Sequence, residues 1–205
     1  AVMDGRLITE MRTAAASALG ASFLARPDAK RLLVLGTGRI ARLLPAAHAS
    51  TRAIRKVTVW NHRPEGARAL AHEWRRAGWD AEAVEDLAEG VRMADIVTCA
   101  TLATAPLVRG EWLAAGSHLD LIGSFTPKMK EADPSCFADA RVFVDTEEAP
   151  TKAGDLLDAF AARALAPEDI QATLAQLCRG ERPGRLSPLD RTVFKAVGSA
   201  LEDLA

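Results

Sequence analysis

The sequence predicts an α/β fold built on a doubly wound parallel sheet. Short, continuously apolar runs, typical of buried parallel strands, alternate along the chain with longer stretches whose apolar residues recur at helical spacing. The first run, residues 31–36, leads directly into a glycine motif and then into a helical stretch. That order is typical of doubly wound sheets. A chain of 205 residues is long enough for one such domain with a small appendage.

Spacing and helix stop signals define the elements of the amino-terminal half. A helix is predicted over residues 9–25, with Thr9 as its N-cap and with Arg26-Pro27-Asp28 ending it. Pro64 suits the first turn of a later helix. The remaining predicted elements are, in order, strand 31–36, helix 39–50, strand 56–60, helix 64–77, strand 80–84, a short helix from Glu85 and strand 95–100.

The carboxyl-terminal half continues the pattern with two further strands, at residues 118–123 and 141–145. Residues 146–180 are rich in alanine and are predicted to be helical, and residues 181–188, with two prolines and a glycine, form a loop. A last amphipathic helix is predicted over residues 189–205. One face of it carries apolar side chains that would be exposed without a partner: Val193, Phe194, Val197 and Leu201.

Composition excludes several classes of function. With 26 basic and 27 acidic side chains the net charge is −1, so we expect no nucleic-acid partner and no anionic membrane surface. The sequence has no run of 18 apolar residues and no signal-peptide pattern. Three widely separated cysteines favour a reducing cytoplasm and no metal site. Residues 1–5 read like the end of a strand entering a turn, which we expect of a fragment or a truncated gene product.

The glycine motif G-x-G-x-x-A spans residues 36–41 and predicts a dinucleotide site of the Rossmann type. Gly36 permits the tight turn, Gly38 lets a pyrophosphate approach the backbone, and Ala41 lets the helix pack closely on the strand. The helix amino terminus then faces the phosphates with its free N–H groups. The other cofactor-binding residues predicted from this motif are Thr37, Arg39 and Ile40.

The end of the second strand indicates which dinucleotide binds. An NAD site places an acidic residue there for the ribose hydroxyls, but no Asp or Glu occurs between Asp28 and Glu65. Asn61, His62 and Arg63 stand there instead, and a guanidinium suits a 2′-phosphate. We therefore favour NADP(H) over NAD(H). The alternative is that Arg63 is only a solvated turn residue before Pro64.

Two loops at strand carboxyl ends are predicted to border the nicotinamide, because ligands of open α/β sheets bind there. They follow the fourth and fifth predicted strands. The alternative is ordinary turn chemistry, since Ser, Thr, Gly and Pro are turn residues in any case. The predicted cofactor residues of these loops are Ala100, Thr101, Leu102, Ile122, Gly123 and Ser124.

Several stretches in the right order resemble the ornithine cyclodeaminase/mu-crystallin family, and the resemblance covers essentially the whole chain. The stretches are residues 2–5, 7–9, 12–15, 36–38, 60–63, 95–101, 120–127, 141–145 and 153–156. Members of that family are homodimers with a Rossmann domain and a separate dimerisation domain. The resemblance implies that residues 1–26 are a remnant of the dimerisation domain, that residues 27–184 form the Rossmann domain, and that residues 185–205 form a helix that returns to the dimerisation domain. Most of that second domain, with a substrate-binding lysine, would be missing.

The resemblance also assigns residues to the substrate. Arg12 matches the arginine that holds the substrate carboxylate in the family. Phe125 stands where members that cyclise ornithine carry a catalytic aspartate, so we place it in the pocket wall. The stretch 123–127 is similar to that of the imine-reducing branch, whose members reduce Δ1-pyrroline-2-carboxylate or Δ1-piperideine-2-carboxylate to proline or pipecolate.

Three functions are consistent with this resemblance. The first is NADPH-dependent reduction of a small cyclic imino acid. The second is ornithine cyclodeaminase or alanine dehydrogenase activity, which the absent aspartate disfavours. The third is a non-catalytic NADP- or ligand-binding protein similar to mu-crystallin. NADPH oxidation with a cyclic imine separates the first from the third, and ammonia release from ornithine identifies the second.

Overall fold

A computed structural model describes residues 4–200 and 202–203, and its strands form one sheet of eight parallel strands. The strands are β1 (Arg31–Leu35), β2 (Lys56–Trp60), β3 (Asp80–Ala83), β4 (Ile96–Cys99), β5 (His118–Leu121), β6 (Ala140–Val144), β7 (Ile170–Thr173) and β8 (Arg191–Lys195). Their order across the sheet is β3-β2-β1-β4-β5-β8-β6-β7. The predicted α/β fold with a doubly wound parallel sheet is confirmed.

Helices cover both faces of the sheet. They are α1 (Gly5–Leu24), α2 (Arg39–Ala49), α3 (Pro64–Arg76), α4 (Leu87–Met93), α5 (Ala149–Lys152), α6 (Gly154–Ala161) and α7 (Leu174–Cys178). Apolar side chains of α1, α2, α3 and α7 pack on one face, and those of α4, α5 and α6 pack on the other. Successive strand residues therefore enter different cores, as Leu32 and Leu33 of β1 do. Within the described residues, no helix is both long and apolar enough to cross a membrane.

Two sequence predictions for the carboxyl-terminal half are wrong. Residues 191–195, predicted as the start of a helix, form β8, which lies between β5 and β6. Val193 and Phe194 are fully buried on opposite faces, so they do not form the exposed apolar face that we inferred. The sheet thus continues beyond residue 184, and Leu201 lies outside the described residues. Residues 146–180 are only partly helical, because they also include β7.

Helix α1 begins earlier than predicted. It starts at Gly5, and the side chain of Asp4, not that of Thr9, caps it by accepting a hydrogen bond from the N–H of Arg6. Thr9 lies inside the helix, where its hydroxyl donates to the carbonyl of Gly5. Residues 1–3, which we predicted to belong to the end of a strand, lie outside the described residues.

A buried polar cluster fixes α1 to the sheet. The Ser17 hydroxyl of α1 donates to the carboxyl group of Asp120 on β5 and lies 3.0 Å from Nε2 of His48 on α2. Burial lowers the pKa of His48 to about 4, with the charge of Arg52 as a second cause, and burial raises the pKa of Asp120 to about 7. Burial thus disfavours the charged forms of both groups, and the hydrogen bonds of the cluster help to hold the helix that carries Arg12.

Candidate active site

A cleft of about 560 Å³ runs along the carboxyl ends of β1, β2 and β4. It brings together most of the residues predicted to bind a dinucleotide. Its lining consists of Gly36, Thr37, Gly38, Trp60, Asn61, His62, Arg63, Ala100, Thr101, Leu102, Ala103, Thr104, Ala105 and Leu107. The cleft therefore lies where ligands of open parallel sheets bind.

The two glycines of the motif have different roles. Gly36 has a φ of +105°, and a Cβ there would lie 2.6 Å from the carbonyl oxygen of Ala100, so the turn itself requires glycine. A Cβ on Gly38 would meet no atom of the described residues within 4 Å, so their packing does not require glycine at this position. In the part of the chain that the structure describes, no side chain caps the amino end of α2 at Gly38. Open space beside uncapped N–H groups fits a pyrophosphate.

The end of β2 forms the far part of the cleft. Asn61 is half-buried, and its amide Nδ2 donates to the carbonyl of Arg63 at 3.3 Å. His62 and Arg63 are exposed. Among the described residues, no carboxylate lies within ion-pair distance of Arg63 and none lines the cleft. The guanidinium is thus available to an anionic ligand.

Another groove, of about 520 Å³, lies between α4 and the ends of β1–β3. Its lining includes Arg31 and Lys56, but also four acidic side chains, those of Glu82, Glu85, Asp86 and Glu89. These carboxylates repel phosphates, whereas the lining of the first cleft has none. The negatively charged dinucleotide therefore fits the first cleft better.

A third cavity, a pocket of about 250 Å³, adjoins the dinucleotide cleft and shares Ala100, Thr101 and Leu102 with it. The pocket brings together α1, the loop after β5 and the segment after β8. Its remaining lining residues are Thr9, Arg12, Thr13, Ile40, Ile122, Gly123, Phe125, Ala196, Val197 and Gly198. A pocket next to a dinucleotide cleft, and sharing residues with it, has the position of a substrate site.

Arg12 lies in this pocket with its side chain 19% exposed. Its guanidinium donates to Asp203 at 3.0 Å and to Glu202 at 3.2 Å, and it lies against the backbone of Gly198. A substrate carboxylate would therefore have to share or replace these two partners. Phe125 is half-exposed in the pocket wall.

Two predicted cofactor residues do not line either cavity among the described residues. The side chain of Arg39 forms an ion pair with Glu10 at 2.8 Å. Ser124 is fully buried below the pocket, where its hydroxyl donates to Asp155 and accepts from Nζ of Lys195 at 2.7 Å.

Buried charges below the pocket were not predicted as site residues. Glu131, Asp155 and Lys195 are fully buried, and Nζ of Lys195 lies 3.3 Å from a carboxylate oxygen of Asp155. Burial raises the pKa of Glu131 to about 7, against the charge of Lys195 and the hydrogen bonds from Thr101. Asp155 lies in a stretch that carried the family resemblance, but nothing in the sequence placed it beside Lys195, 40 positions further along the chain.

Alanine substitutions at the two glycines of the motif are expected to have different effects. One lowers the affinity for the cofactor, and the other lowers the stability of the fold. Gly38→Ala is expected to lower the affinity for a nicotinamide dinucleotide about tenfold or more, because the new Cβ takes the space of the pyrophosphate. The free energy of unfolding is expected to stay within about 0.5 kcal/mol of the wild type, because the Cβ meets no atom of residues 4–200 or 202–203. Nicotinamide fluorescence titration and thermal unfolding measure the two quantities.

Gly36→Ala is the matched comparison. It is expected to destabilise the fold by about 2–4 kcal/mol, because a left-handed φ and a contact with the Ala100 carbonyl both oppose a Cβ. If Gly38→Ala binds the dinucleotide as tightly as the wild type, the pyrophosphate assignment is wrong.

Comparisons with known proteins agree with this geometry. The whole chain, residues 1–205, matches the profile of the Ornithine cyclodeaminase/mu-crystallin family. The chain is 41% identical over 206 residues to a Delta(1)-pyrroline-2-carboxylate reductase of Paracoccus denitrificans, and the match covers 100% of the chain and 65% of that protein. It is 34% identical over 205 residues to the ketimine reductase mu-crystallin of Rattus norvegicus, with 100% and 62% covered.

A solved structure matches equally well. The fold superimposes with a TM-score of 0.94 and 32% identity on Delta(1)-pyrroline-2-carboxylate reductase of Thermococcus litoralis, whose structure holds NADH and L-proline. The match covers 98% of this chain and 63% of that one. The chain thus spans slightly less than two thirds of the length of these relatives.

Proposed function

The chain belongs to the ornithine cyclodeaminase/mu-crystallin family, and we propose that the protein reduces a cyclic ketimine carboxylate with NADPH. The substrate is Δ1-pyrroline-2-carboxylate or Δ1-piperideine-2-carboxylate, and the product is proline or pipecolate. One observation carries the proposal: the pocket next to the dinucleotide cleft is lined by an arginine, and the only carboxylates found beside this arginine among the described residues are Glu202 and Asp203, which are paired with it.

Arg12 orients the substrate. Its guanidinium can hold a carboxylate through two parallel hydrogen bonds, which fixes the ring relative to the cleft. In the reaction the C=N bond gains a hydride at carbon and a proton at nitrogen. A reduced nicotinamide, when bound, supplies the hydride. The residues shared by cleft and pocket, Ala100, Thr101 and Leu102, separate the pyrophosphate region from the substrate.

The pocket suits imine reduction better than deamination. Removing ammonia from an amino acid needs an acid or base near the leaving nitrogen. Phe125 occupies the position that resembles the aspartate of cyclodeaminases, and it contributes an apolar wall. A protonated imine already carries the positive charge that attracts hydride, so orientation is the main requirement.

An imine-reduction assay tests the proposal. NADPH oxidation is followed on addition of either cyclic imine, and proline or pipecolate is identified as the product. Ammonia release from ornithine in the presence of NAD would instead support a cyclodeaminase. NADPH binding without turnover of either imine would support the non-catalytic alternative similar to mu-crystallin.

The preference for NADPH rests on Arg63 and on the absence of an acidic residue at the end of β2. Arg63→Ser is expected to weaken NADPH binding about 30-fold, because a 2′-phosphate loses its guanidinium partner. NADH binding is expected to change by less than about twofold, because NADH has no such phosphate. Fluorescence titration of both cofactors measures the ratio.

Arg76→Ser is the control for this substitution. Arg76 is an exposed arginine at the far end of the same helix, α3, and does not line the cleft. Both affinities are expected to stay unchanged in this variant. A wild-type chain that prefers NADH would refute the role given to Arg63.

The division into domains, the homodimer and the cytoplasmic location stay predictions. Exposed Leu7, Met11 and Leu19 on α1 give a dimer a candidate surface. Sedimentation equilibrium measures the oligomeric state.

A further inference from the structure

Glu131 connects two loops that are distant in sequence. Its side chain is fully buried. One carboxylate oxygen accepts from the N–H and the hydroxyl of Thr101, both at 2.7 Å, and the other accepts from the N–H of Gly123 at 2.9 Å and of Ser124 at 3.2 Å. A single carboxylate therefore satisfies four donors, two from the loop after β4 and two from the loop after β5.

The two loops touch each other at this point. A Cβ on Gly123 would lie 2.2 Å from the carbonyl oxygen of Thr101 and 2.4 Å from a carboxylate oxygen of Glu131. Only a glycine permits this approach. Thr101 and Gly123 both line the pocket that adjoins the dinucleotide cleft. The carboxylate thus lies directly behind the pocket surface.

The backbone of Glu131 is itself held in place. Its N–H donates to Asp155 at 2.7 Å, and its carbonyl accepts from the N–H groups of Leu107 and Val108. Asp155 is in turn paired with Lys195 of β8. Hydrogen bonds to charged groups in a buried network fix geometry more firmly than isolated contacts do.

We propose that Glu131 is a positioning residue for the nicotinamide half of the dinucleotide site. It acts by holding the Thr101 and Gly123 loops at one fixed separation, and it touches neither cofactor nor substrate. This inference rests on the proposed binding of NADPH. It predicts that replacing Glu131 lowers the affinity for a ligand that carries a nicotinamide. The affinity for a ligand that ends at the ribose beyond the pyrophosphate stays unchanged.

Glu131→Gln tests the inference. The variant keeps the shape of the side chain, but its NH2 group faces peptide donors and cannot accept from them. NADPH affinity is expected to fall about tenfold or more, since two buried hydrogen bonds are lost. Affinity for 2′-phospho-ADP-ribose, which lacks the nicotinamide, is expected to change by less than about twofold. Calorimetric titration measures both ligands.

A second variant covers the case in which Glu131→Gln does not fold. Thr101→Val removes the hydroxyl that donates to Glu131. This variant is expected to show the same selective loss, about threefold or more. Glu89→Gln, an exposed glutamate outside the cleft, is the matched control and is expected to change neither affinity.

The outcomes separate this inference from the proposed reaction. Equal losses for both ligands in Glu131→Gln and in Thr101→Val would overturn the inference, because Glu131 would then only stabilise the fold. If the wild type reduces no imine but the selective loss appears, the positioning role stands and the proposed reaction fails. If the wild type binds neither ligand, both are overturned.

Discussion

Replacing Lys195 with methionine is expected to destabilise the protein by about 3–5 kcal/mol, because it leaves a buried carboxylate without its cation. Lys195 is fully buried in β8, where its Nζ donates to the carbonyl of Leu121 at 3.0 Å and lies 3.3 Å from Asp155. Methionine has a similar length but no charge. Since whole domains are stable by about 5–15 kcal/mol, this loss is large. Urea unfolding measures it.

A double variant and a surface control test the physical reason. Lys195→Met combined with Asp155→Asn removes both charges, and the amide oxygen still accepts from the N–H groups that Asp155 binds. The double variant is expected to recover about half of the loss or more. Lys56→Met removes a half-exposed ion pair with Glu82 at 2.8 Å and is expected to cost less than about 1 kcal/mol. Equal losses at Lys195 and Lys56 would contradict the argument.

The dinucleotide cleft could be predicted from the sequence because its signals are local. The glycine motif is one continuous stretch, and the residues after β2 follow directly from the end of that strand. Parallel strands place their carboxyl ends at the same edge of the sheet, so Gly38 and Arg63 had to meet there. Each of these steps needs only the alternation of strands and helices.

Strand β8 could not be predicted in the same way. Its five residues contain a short apolar run that fits a helix as well as a buried strand, and periodicity alone does not separate the two. Its place between β5 and β6 depends on long-range pairing with residues far away in sequence. The buried pair of Lys195 and Asp155 depends on that strand, so it was missed as well.

Arg12 illustrates what the family resemblance adds to a prediction from residue spacing. By spacing alone it is an ordinary helix residue, whereas the family resemblance gave it a substrate role. The structure places it in the pocket, on the helix α1 that the polar cluster around Ser17 connects to the sheet. Arg39, which the motif itself suggested, instead pairs with Glu10 on the protein surface. A motif predicts backbone geometry better than it predicts the direction of a long side chain.

Arg12→Lys is expected to lower kcat/KM for a cyclic imine carboxylate about 100-fold, because an ammonium group cannot form two parallel bonds to a carboxylate. Most of the change is expected in KM, since the carboxylate is present in the substrate and in the transition state alike. Affinity for NADPH is expected to stay within about twofold, because Arg12 lies in the adjoining pocket and does not line the cleft. Steady-state kinetics and cofactor titration on the same preparation measure both effects.

Arg6→Lys provides the control for this last substitution. Arg6 lies on the same helix, is exposed and pairs only with Asp4 among the described residues. The same chemical change there is expected to leave kcat/KM unaltered. A further test replaces the substrate: an imine that lacks the carboxylate should be a poor substrate of the wild type and should be reduced equally well by Arg12→Lys. The two proteins could instead differ as much in kcat/KM for that imine as they do for the imine carboxylate. In that case Arg12 acts on the shape of the pocket and does not bind the carboxylate.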